Sequence, residues 1–276
     1  MQPVAAKGFQ RSAAAYDRGR PGYAPAGVAW MAERLGLAEG ATVVDLAAGT
    51  GKLTADLVAT GALVVAVEPV AAMRAVLAQR VPGARAVDGT AEATGLADTS
   101  ADAVTVGQAF HWFDGDAAVA EIHRILRPGG RLGVIYNTRD LQDPLQAALS
   151  RLVQPYRGSA PAHAKGQWRE ALQRTALLQA GVERLGGSGV DQLAGPGVGG
   201  AIGEYRVDQV QLVDAEGLVD RVLSMSFVAA LPAGEQASIA QAARALAAEH
   251  APAAQVDPRA RLRLHYLTEV AVWTRR

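Results

Sequence analysis

Residues 43–53 read Val43-Val44-Asp45-Leu46-Ala47-Ala48-Gly49-Thr50-Gly51-Lys52-Leu53. A short apolar run contains an acid near its end, and a turn of small residues with two glycines follows it. Leu53 and Leu57 then share one face of a helix that ends at Gly61. Glycine favours such a turn because it lets the backbone approach a ligand with no side chain in between. The order strand, glycine turn and helix predicts the opening of a nucleotide-binding βαβ unit.

A second acid stands at the end of the next predicted strand. Residues 63–67 form an apolar run that is typical of a buried strand, and Glu68 follows it directly. This acid comes about 20 residues after the glycine turn, where a carboxylate is suited to accept hydrogen bonds from ribose hydroxyls.

Two nucleotide ligands compete for this arrangement. A dinucleotide fold carries G-x-G-x-x-G, with the pyrophosphate at the helix N-terminus, but the third position here is Thr54. The carboxylate of Asp45 would repel a pyrophosphate, whereas it suits a ligand with an ammonium group. S-adenosylmethionine carries an ammonium, a sulfonium and a ribose, and no phosphate, so the pattern favours it. An α/β unit with a tight turn and no ligand is the remaining alternative.

Composition excludes several classes of function. The 276 residues, half of them hydrophobic, suffice for one large α/β domain with a cap or for two small domains. Lys plus Arg equals Asp plus Glu at 27 each, and no basic run interleaves with aromatics, which argues against a nucleic-acid partner. The absence of cysteine excludes disulfides, thiolate metal sites and a cysteine nucleophile.

The sequence also bears on location and on metals. The first residues lack the apolar core of a signal peptide, and no apolar run is long enough to span a bilayer. We therefore expect a cytoplasmic protein with no membrane partner, present as a monomer or homodimer. His163, His250 and His265 are scattered and lack acids at ligand spacing, so we expect no metal site.

An N-terminal arm precedes the first strand. Residues 9–18 are predicted to form a short helix, and residues 19–25 have turn chemistry. Folded over a cofactor, the arm would offer the Tyr16 hydroxyl and the Arg20 guanidinium, the latter for a carboxylate. A solvated arm is the alternative.

The fourth predicted strand, residues 102–110, runs into an aromatic cluster. Phe110, His111, Trp112 and Phe113 follow one another at its carboxyl end, which is the edge where open α/β sheets bind ligands. A buried structural histidine and tryptophan are the alternative. The third strand is predicted over residues 84–87 and the fifth over residues 131–136.

Beyond residue 140 the pattern changes. Helices are predicted over 141–152, 167–178, 218–227 and 236–249, and strands over 205–213 and 266–274. Nine glycines and few large apolar residues occur between Gly181 and Gly203. Such a segment buries little surface, so we expect a flexible loop with the character of a lid.

The motifs together resemble a known family. Residues 45–53, Glu68, residues 89–92 and residues 127–130 (Arg-Pro-Gly-Gly) are similar to those of class I S-adenosylmethionine-dependent methyltransferases. The segment from Phe9 to Tyr23 and the run 109–114 resemble the small-molecule branch related to trans-aconitate methyltransferase. The resemblance is strong over residues 9–140 and looser at 219–232 and in the C-terminal strand.

This resemblance implies a fold and a domain division. The fold class is α/β, with a Rossmann-like, seven-stranded, mostly parallel sheet whose final strand is antiparallel, helices on both faces, and a mainly helical cap. Residues 1–140 would form the cofactor-binding core with its N-terminal arm. Residues 141–227 would form the cap or substrate region with the glycine-rich loop, and residues 228–276 a helix and strand that complete the core.

The resemblance also implies a set of residues around S-adenosyl-L-methionine. Glu68 would hold the ribose and Met73 would lie near the adenine, while Gln108 would face the methionine part. The complete implied set is Tyr16, Arg20, Asp45, Ala47, Gly49, Gly51, Glu68, Met73, Thr90, Ala91, Glu92 and Gln108. Ala47 departs from the family, which has glycine there; alanine is tolerated if the backbone angles suit it.

The implied function is methyl transfer to an O, N or C atom of a small molecule by in-line displacement, which depends mainly on positioning in a dry pocket. His111 is a candidate general base, since imidazole ordinarily has a pKa of about 6.5. Alternatively, His111 only shapes an acceptor pocket together with Phe110 and Trp112. Two other functions stay open: a cofactor-binding protein without transfer activity, and a nicotinamide-dependent oxidoreductase, which Asp45 and Thr54 disfavour.

Overall fold

The computed structural model describes residues 18–158, 168–179, 203–250 and 261–276. Within them, eight strands form one sheet. The strands are β1 (Thr42–Leu46), β2 (Leu63–Val67), β3 (Ala84–Val87), β4 (Ala101–Gly107), β5 (Leu126–Arg139), β6 (Leu178–Gln179), β7 (Gly203–Val213) and β8 (Leu262–Arg275).

The order across the sheet is β3-β2-β1-β4-β5-β8-β6, with β7 also paired to β8. Strands β1 to β5 are parallel to their neighbours, whereas β8 is antiparallel to β5. Strands β6 and β7 follow one another along the free edge of β8, so together they occupy a single position. The predicted Rossmann-like sheet with an antiparallel final strand is confirmed; the seven predicted strands are eight in the described residues, because β6 and β7 share one position.

Helices cover both faces of this sheet. They are α1 (Pro25–Leu35), α2 (Lys52–Val58), α3 (Ala71–Arg80), α4 (Gly115–Ile125), α5 (Pro144–Val153), α6 (Trp168–Arg174), α7 (Ala215–Leu223), α8 (Ser226–Ala229) and α9 (Ala233–His250). Successive side chains of strand β1 point to opposite faces of the sheet: Val43 packs with α1 and α2, while Val44 and Leu46 pack with α4 and α6. None of the helices in the described ranges is long and apolar enough to cross a membrane.

A third apolar cluster joins helices α5, α7 and α9 to strand β8. Leu149, Leu218, Val222, Ile239 and Leu264 are buried together in it. Residues 141–227 thus supply helices to this layer and also strands β6 and β7 to the sheet. The division at residues 140 and 227 stays a proposal.

Some predicted bounds differ from those observed. Strand β4 ends at Gly107 because Gln108 has φ +57°, and residues 110–112 turn into a short 3₁₀ helix. The helix expected from residue 141 begins at Pro144, where the Asp143 carboxylate accepts hydrogen bonds from the next backbone N–H groups. The predicted helix over 9–18 lies outside the described residues apart from its last residue, as does most of the glycine-rich segment.

Helix α1 lies directly on strand β5 at Gly133. A Cβ atom there would approach Leu35 Cδ1 and Met31 Sδ to 3.0 Å each. Gly133→Ala is therefore expected to lower the free energy of unfolding by about 1–3 kcal/mol through overpacking. Urea unfolding measures this. Gly234→Ala is the control, since a Cβ at Gly234 meets nothing within 4 Å; equal losses in the two variants would contradict the packing argument.

Candidate functional site

The turn after β1 forms the floor of the site. It contains three residues with positive φ: Ala47 (52°), Gly49 (60°) and Gly51 (85°). At Gly51, a Cβ atom would also approach Val81 Cγ2 to 3.0 Å and Leu77 Cγ to 3.1 Å. Only glycine meets both conditions without strain, so this position fixes how α2 leaves the turn.

Ala47 carries strain that the sequence did not indicate. Alanine was expected to be tolerated if its backbone angles suited it, but its φ lies in the left-handed region, which costs an L-residue about 1–2 kcal/mol. Gln108, at the end of β4, has φ +57° and lines the same cleft. Strained residues of this kind cluster at functional sites, and these two stand on adjacent strands.

The carboxylate of Glu68 joins the turn to the following strand. Its Oε2 accepts a hydrogen bond from Gly49 N at 2.8 Å, and its Oε1 accepts one from Val70 N at 2.8 Å. The side chain is buried, and burial raises the pKa of Glu68 while these two bonds oppose the rise. Each carboxylate oxygen has a further lone-pair position, so Glu68 can accept from a ligand without releasing the turn.

Asp45 is the most deeply buried acid of the site. Its Oδ2 accepts from Thr54 Oγ1 at 2.7 Å and its Oδ1 from Thr105 Oγ1 at 2.9 Å. Burial raises the pKa of Asp45 from 3.8 to about 7, although both hydroxyls lower it. Thr54 thus replaces the third glycine of a dinucleotide fingerprint with a donor to this acid.

An open cleft of two adjoining compartments lies above the turn, each with about 600 Å³ of empty space. The compartments share a wall made of the turn and the end of β4. The first is lined by Arg20, Pro21, Tyr23, Asp45, Ala47, Ala48, Gly49, Thr50, Lys52, Leu53, Gly107, Gln108, Arg221 and Tyr266. The second is lined by Ala47, Gly49, Glu68, Pro69, Met73, Thr90, Ala91, Glu92, Gly107, Gln108, Ala109, Trp112 and Phe113.

The structure brings most of the predicted site residues together in this cleft. Ten of the twelve proposed cofactor residues line it. Gly51 instead starts helix α2 beneath the turn, and Tyr16 lies outside the described residues. Arg20 lines the first compartment, and its Nη2 donates to Ser224 O at 3.2 Å.

The aromatic cluster divides between the core and the cleft. Phe110 was expected to contact the acceptor, but it is 1% exposed and packs against Phe113, with ring centroids 5.3 Å apart. It therefore supports the cleft wall from behind. Trp112 lines the second compartment, as expected. His111 lies beside Trp112, with ring centroids 5.1 Å apart, but is not part of the lining of either compartment.

His111 is held by the buried hydroxyl of Tyr136. The Tyr136 oxygen lies 3.2 Å from His111 Nδ1 and accepts the backbone N–H of His111, also at 3.2 Å. A hydroxyl can both donate and accept, so the Tyr136 oxygen either donates its proton to Nδ1 or accepts one from it, according to the tautomer of His111.

Several residues of the cleft were not singled out from the sequence. Tyr23 lines the first compartment from the N-terminal segment, and Thr105 supports Asp45 from β4. Arg221 and Tyr266 reach the same compartment from α7 and β8. The sequence could have indicated Arg221, because this residue falls on the apolar, buried face of α7 beside Leu218 and Val222. A charged residue on an apolar helix face indicates a specific role.

No group of three histidine or acidic side chains in the described parts of the chain is placed to hold a metal ion. The acids of the cleft are held instead by hydroxyl and backbone donors.

Comparison with known proteins points to one family. Residues 44–134 match the family model described as a methyltransferase domain. An uncharacterized methyltransferase of Mycobacterium tuberculosis is 41% identical over 132 residues, which are 48% of this chain and 53% of that protein. An uncharacterized methyltransferase-like protein of Schizosaccharomyces pombe is 34% identical over 166 residues, 59% of this chain and 64% of that protein. The chain thus spans about half to two thirds of the length of these relatives.

Solved structures share the fold. A protein of Anaeromyxobacter dehalogenans, described provisionally as a type II methyltransferase, has a TM-score of 0.57 at 22% identity, covering 92% of this chain and 97% of its own. The YcgJ protein of Bacillus subtilis has a TM-score of 0.51 at 15% identity, covering 91% and 98%. The fold is therefore the Rossmann-like methyltransferase fold. The names of these proteins do not specify a methyl acceptor.

The raised pKa of Asp45 makes stability depend on pH. Between 3.8 and about 7 the native state holds a proton that the unfolded chain has released, so the free energy of unfolding falls as pH rises through this window. Asp45→Asn removes this loss. Relative to that of the wild type, the free energy of unfolding of the variant should rise by about 3 kcal/mol between about pH 5 and about pH 8, since one pKa unit corresponds to about 1.4 kcal/mol.

Urea unfolding at both pH values measures this gain. Asp116→Asn is the matched control, because that carboxylate is 77% exposed and its pair with Arg174 is long, at 3.4 Å. A wild type and an Asp45→Asn variant with parallel pH profiles would show that Asp45 does not titrate near neutrality.

Proposed function

We propose that this chain transfers a methyl group from S-adenosylmethionine to a small molecule. The observation that carries the proposal is the pair of buried acids, Asp45 and Glu68, at the carboxyl ends of adjacent strands and on the wall of one cleft. The methyltransferase match over residues 44–134 covers the strands that bear both acids.

The donors and acceptors of the cleft fit this cofactor. Glu68 keeps free lone pairs toward the second compartment, and these suit the two ribose hydroxyls. Asp45 places a carboxyl group on the cleft wall, where a pyrophosphate would need neutral or positive groups. The Thr54 hydroxyl is committed to Asp45, so this stretch lacks both the third glycine and the charge that a dinucleotide needs.

The second compartment suits an adenine. Met73 and Ala91 supply apolar surface, and both are buried. Thr90 and Glu92 stand at its edge with backbone and carboxylate groups that can bond the exocyclic amine. A flat aromatic ring beside methionine and alanine side chains gains dispersion contacts.

The first compartment suits the methionine part. Gln108 stands where the two compartments meet, and its Nε2 donates to Asn137 O at 3.1 Å, which leaves its amide oxygen free to accept. Arg20, which lines the same compartment, offers a guanidinium to a carboxylate. Tyr16 stays a proposed partner of the same carboxylate from the N-terminal arm.

When bound, S-adenosylmethionine supplies an electrophilic methyl group on a sulfonium. The protein positions the acceptor and excludes water, which suffices to bring two reactants together at high effective concentration. Trp112, Phe113 and Tyr23 provide the large surfaces that exclude water from the cleft. A small-molecule acceptor is the class we propose.

The hydrogen bonding of His111 favours a pocket-shaping role over a basic one. The Nδ1 atom lies 3.2 Å from the Tyr136 hydroxyl, and His111 lines neither compartment, whereas a general base must reach the proton that it accepts. We therefore propose that His111 shapes the pocket by supporting Trp112.

Glu68 provides the test of cofactor binding. Charge-assisted hydrogen bonds are worth about 1.5–3 kcal/mol each, so Glu68→Ala should weaken S-adenosylmethionine binding by at least about tenfold. It should also lower the melting temperature, because Gly49 and Val70 lose their acceptor. Calorimetry with S-adenosylmethionine and with NADH in parallel measures the binding.

Asp88→Ala is the control, since that carboxylate is 73% exposed and bonded to Arg74. Unchanged affinity in folded Glu68→Ala, or tighter binding of NADH than of S-adenosylmethionine by the wild type, would overturn the cofactor assignment. Binding with no turnover of any acceptor in a metabolite screen would instead indicate a binding protein without transfer activity.

His111 provides the test of the chemistry. His111→Gln should keep near-normal kcat, whereas Trp112→Ala should raise the KM of the acceptor by about tenfold or more. Steady-state kinetics on the acceptor found by the screen measures both, with His250→Gln on α9 as a remote control. A loss of about 10²–10⁴-fold in kcat for His111→Gln, shrinking at high pH, would instead identify a general base.

A further inference from the structure

The residues before α1, numbers 18–24, form a wall of the first compartment and are termed the wall segment. Arg20, Pro21 and Tyr23 line the compartment from this segment. The Tyr23 hydroxyl rests on the end of β4, since a Cβ atom at Gly107 would approach its oxygen to 2.5 Å. The last five residues of the segment belong to no helix or strand, so their backbone groups need partners from other elements.

Three amide side chains donate to backbone carbonyls of the wall segment. Asn137 Nδ2 donates to Gly22 O at 2.7 Å, and Gln209 Nε2 donates to the same oxygen at 3.0 Å. Gln211 Nε2 donates to Gly19 O at 3.3 Å. Asn137 stands near the end of β5, and the two glutamines share one face of β7. These three residues are termed the amide cluster.

The buried hydroxyl of Thr268 on β8 orients two of these amides. Its oxygen lies 2.6 Å from Asn137 Oδ1 and 2.9 Å from Gln209 Oε1, and it accepts the backbone N–H of Ala24 at 3.3 Å. The carbonyl of Gly22 can only accept, so both amides turn their nitrogen to it and their oxygen to Thr268. One hydroxyl thus links an amide of β5, an amide of β7 and the end of the wall segment.

The amide cluster also contacts other walls of the cleft. The backbone oxygen of Asn137 accepts a hydrogen bond from Gln108 Nε2 at 3.1 Å, and Gln108 lines both compartments. Gln211 Oε1 accepts from the hydroxyl of Tyr266 at 3.3 Å, and Tyr266 lines the first compartment. The three amides themselves line neither compartment, so they act on a ligand only through the residues that they hold.

We propose that Asn137, Gln209 and Gln211 are positioning residues, which hold the wall segment against the end of β4 and thereby set the affinity for S-adenosylmethionine. The proposal rests on the proposed function, because it concerns the cofactor of the same cleft. Neutral hydrogen bonds are individually weak, so several together hold the segment while each can still break when a ligand enters. Two of the amides stand on β7, outside the residues 44–134 that match the methyltransferase domain.

A purely structural role for the amides is the alternative, in which they satisfy buried carbonyls and their loss lowers stability alone. Gln236 provides a matched control for this alternative. Its Nε2 donates to the backbone oxygens of Ala229 at 3.2 Å and Leu231 at 2.8 Å, and it lines neither compartment. Gln236→Met therefore loses the same kind of hydrogen bonds without a link to the cleft.

The test compares Asn137→Ala and Gln209→Met with Gln236→Met in the full-length protein. Hydrogen exchange measured by mass spectrometry follows the backbone N–H groups of residues 18–24, and calorimetry measures S-adenosylmethionine binding. Each folded variant of the amide cluster should exchange this segment at least about threefold faster and bind S-adenosylmethionine at least about threefold more weakly. Gln236→Met should lower the melting temperature and change neither of these two quantities.

Two further variants sharpen the test. Gln209 is half-buried, and methionine keeps its length without the amide, so Gln209→Met keeps the test valid if Asn137→Ala does not fold. Gln209→Met combined with Gln211→Met removes donors to both carbonyls and should weaken S-adenosylmethionine binding by about tenfold.

Two results would overturn the proposal. Unchanged exchange of residues 18–24 in the folded variants would show that the amides do not hold the wall segment. Wild-type affinity for S-adenosylmethionine together with a melting temperature lowered as in Gln236→Met would leave the amides a structural role alone. Failure of the wild type to bind S-adenosylmethionine would contradict the proposed function, and hydrogen exchange would then still decide whether the amide cluster holds the segment.

Discussion

The two hydrogen bonds that Glu68 accepts hold the whole site in register. One comes from the turn after β1 and the other from the start of the segment that leads into α3. A single carboxylate therefore fixes the distance between the ends of two parallel strands, and the cleft opens above that junction. The Glu68 carboxylate is buried at this junction, and burial disfavours its charged form. The two backbone hydrogen bonds favour the charged form and so oppose the effect of burial on the pKa.

Charges of both signs line the first compartment. Asp45 lines it from the end of β1, and Arg20 and Arg221 line it from the N-terminal segment and from α7. Glu68 lines the second compartment. A ligand that carries both an ammonium and a carboxylate, as S-adenosylmethionine does in the proposed function, would be oriented by groups of opposite charge in one compartment.

The sequence predicted the turn after β1 and its two acids far better than the parts of the cleft that later segments supply. The strand order, the turn and Glu68 follow from local patterns, because parallel strands joined by short crossovers place their carboxyl ends along one edge. The left-handed backbone of Ala47 is set by the turn as a whole and overrides the residue's own preference. Phe110 was misplaced because the 3₁₀ helix after β4 rotates it into the core. Arg221 and Tyr266 reach the cleft from segments far along the chain from the turn, so no local periodicity connects them to it.

The long antiparallel strand β8 makes one side of the cleft depend on strand pairings between residues that are far apart along the chain. The pairings among β1 to β4 join residues about 20 to 60 positions apart, whereas β5 pairs Arg139 with Tyr266 and Arg131 with Thr274, well over a hundred residues away. Pairings of this range cost more loop-closure entropy and form more slowly. The wall that Tyr266 adds to the first compartment depends on these pairings, whereas the turn after β1 does not, so the Tyr266 side of the cleft is expected to assemble later and to open earlier.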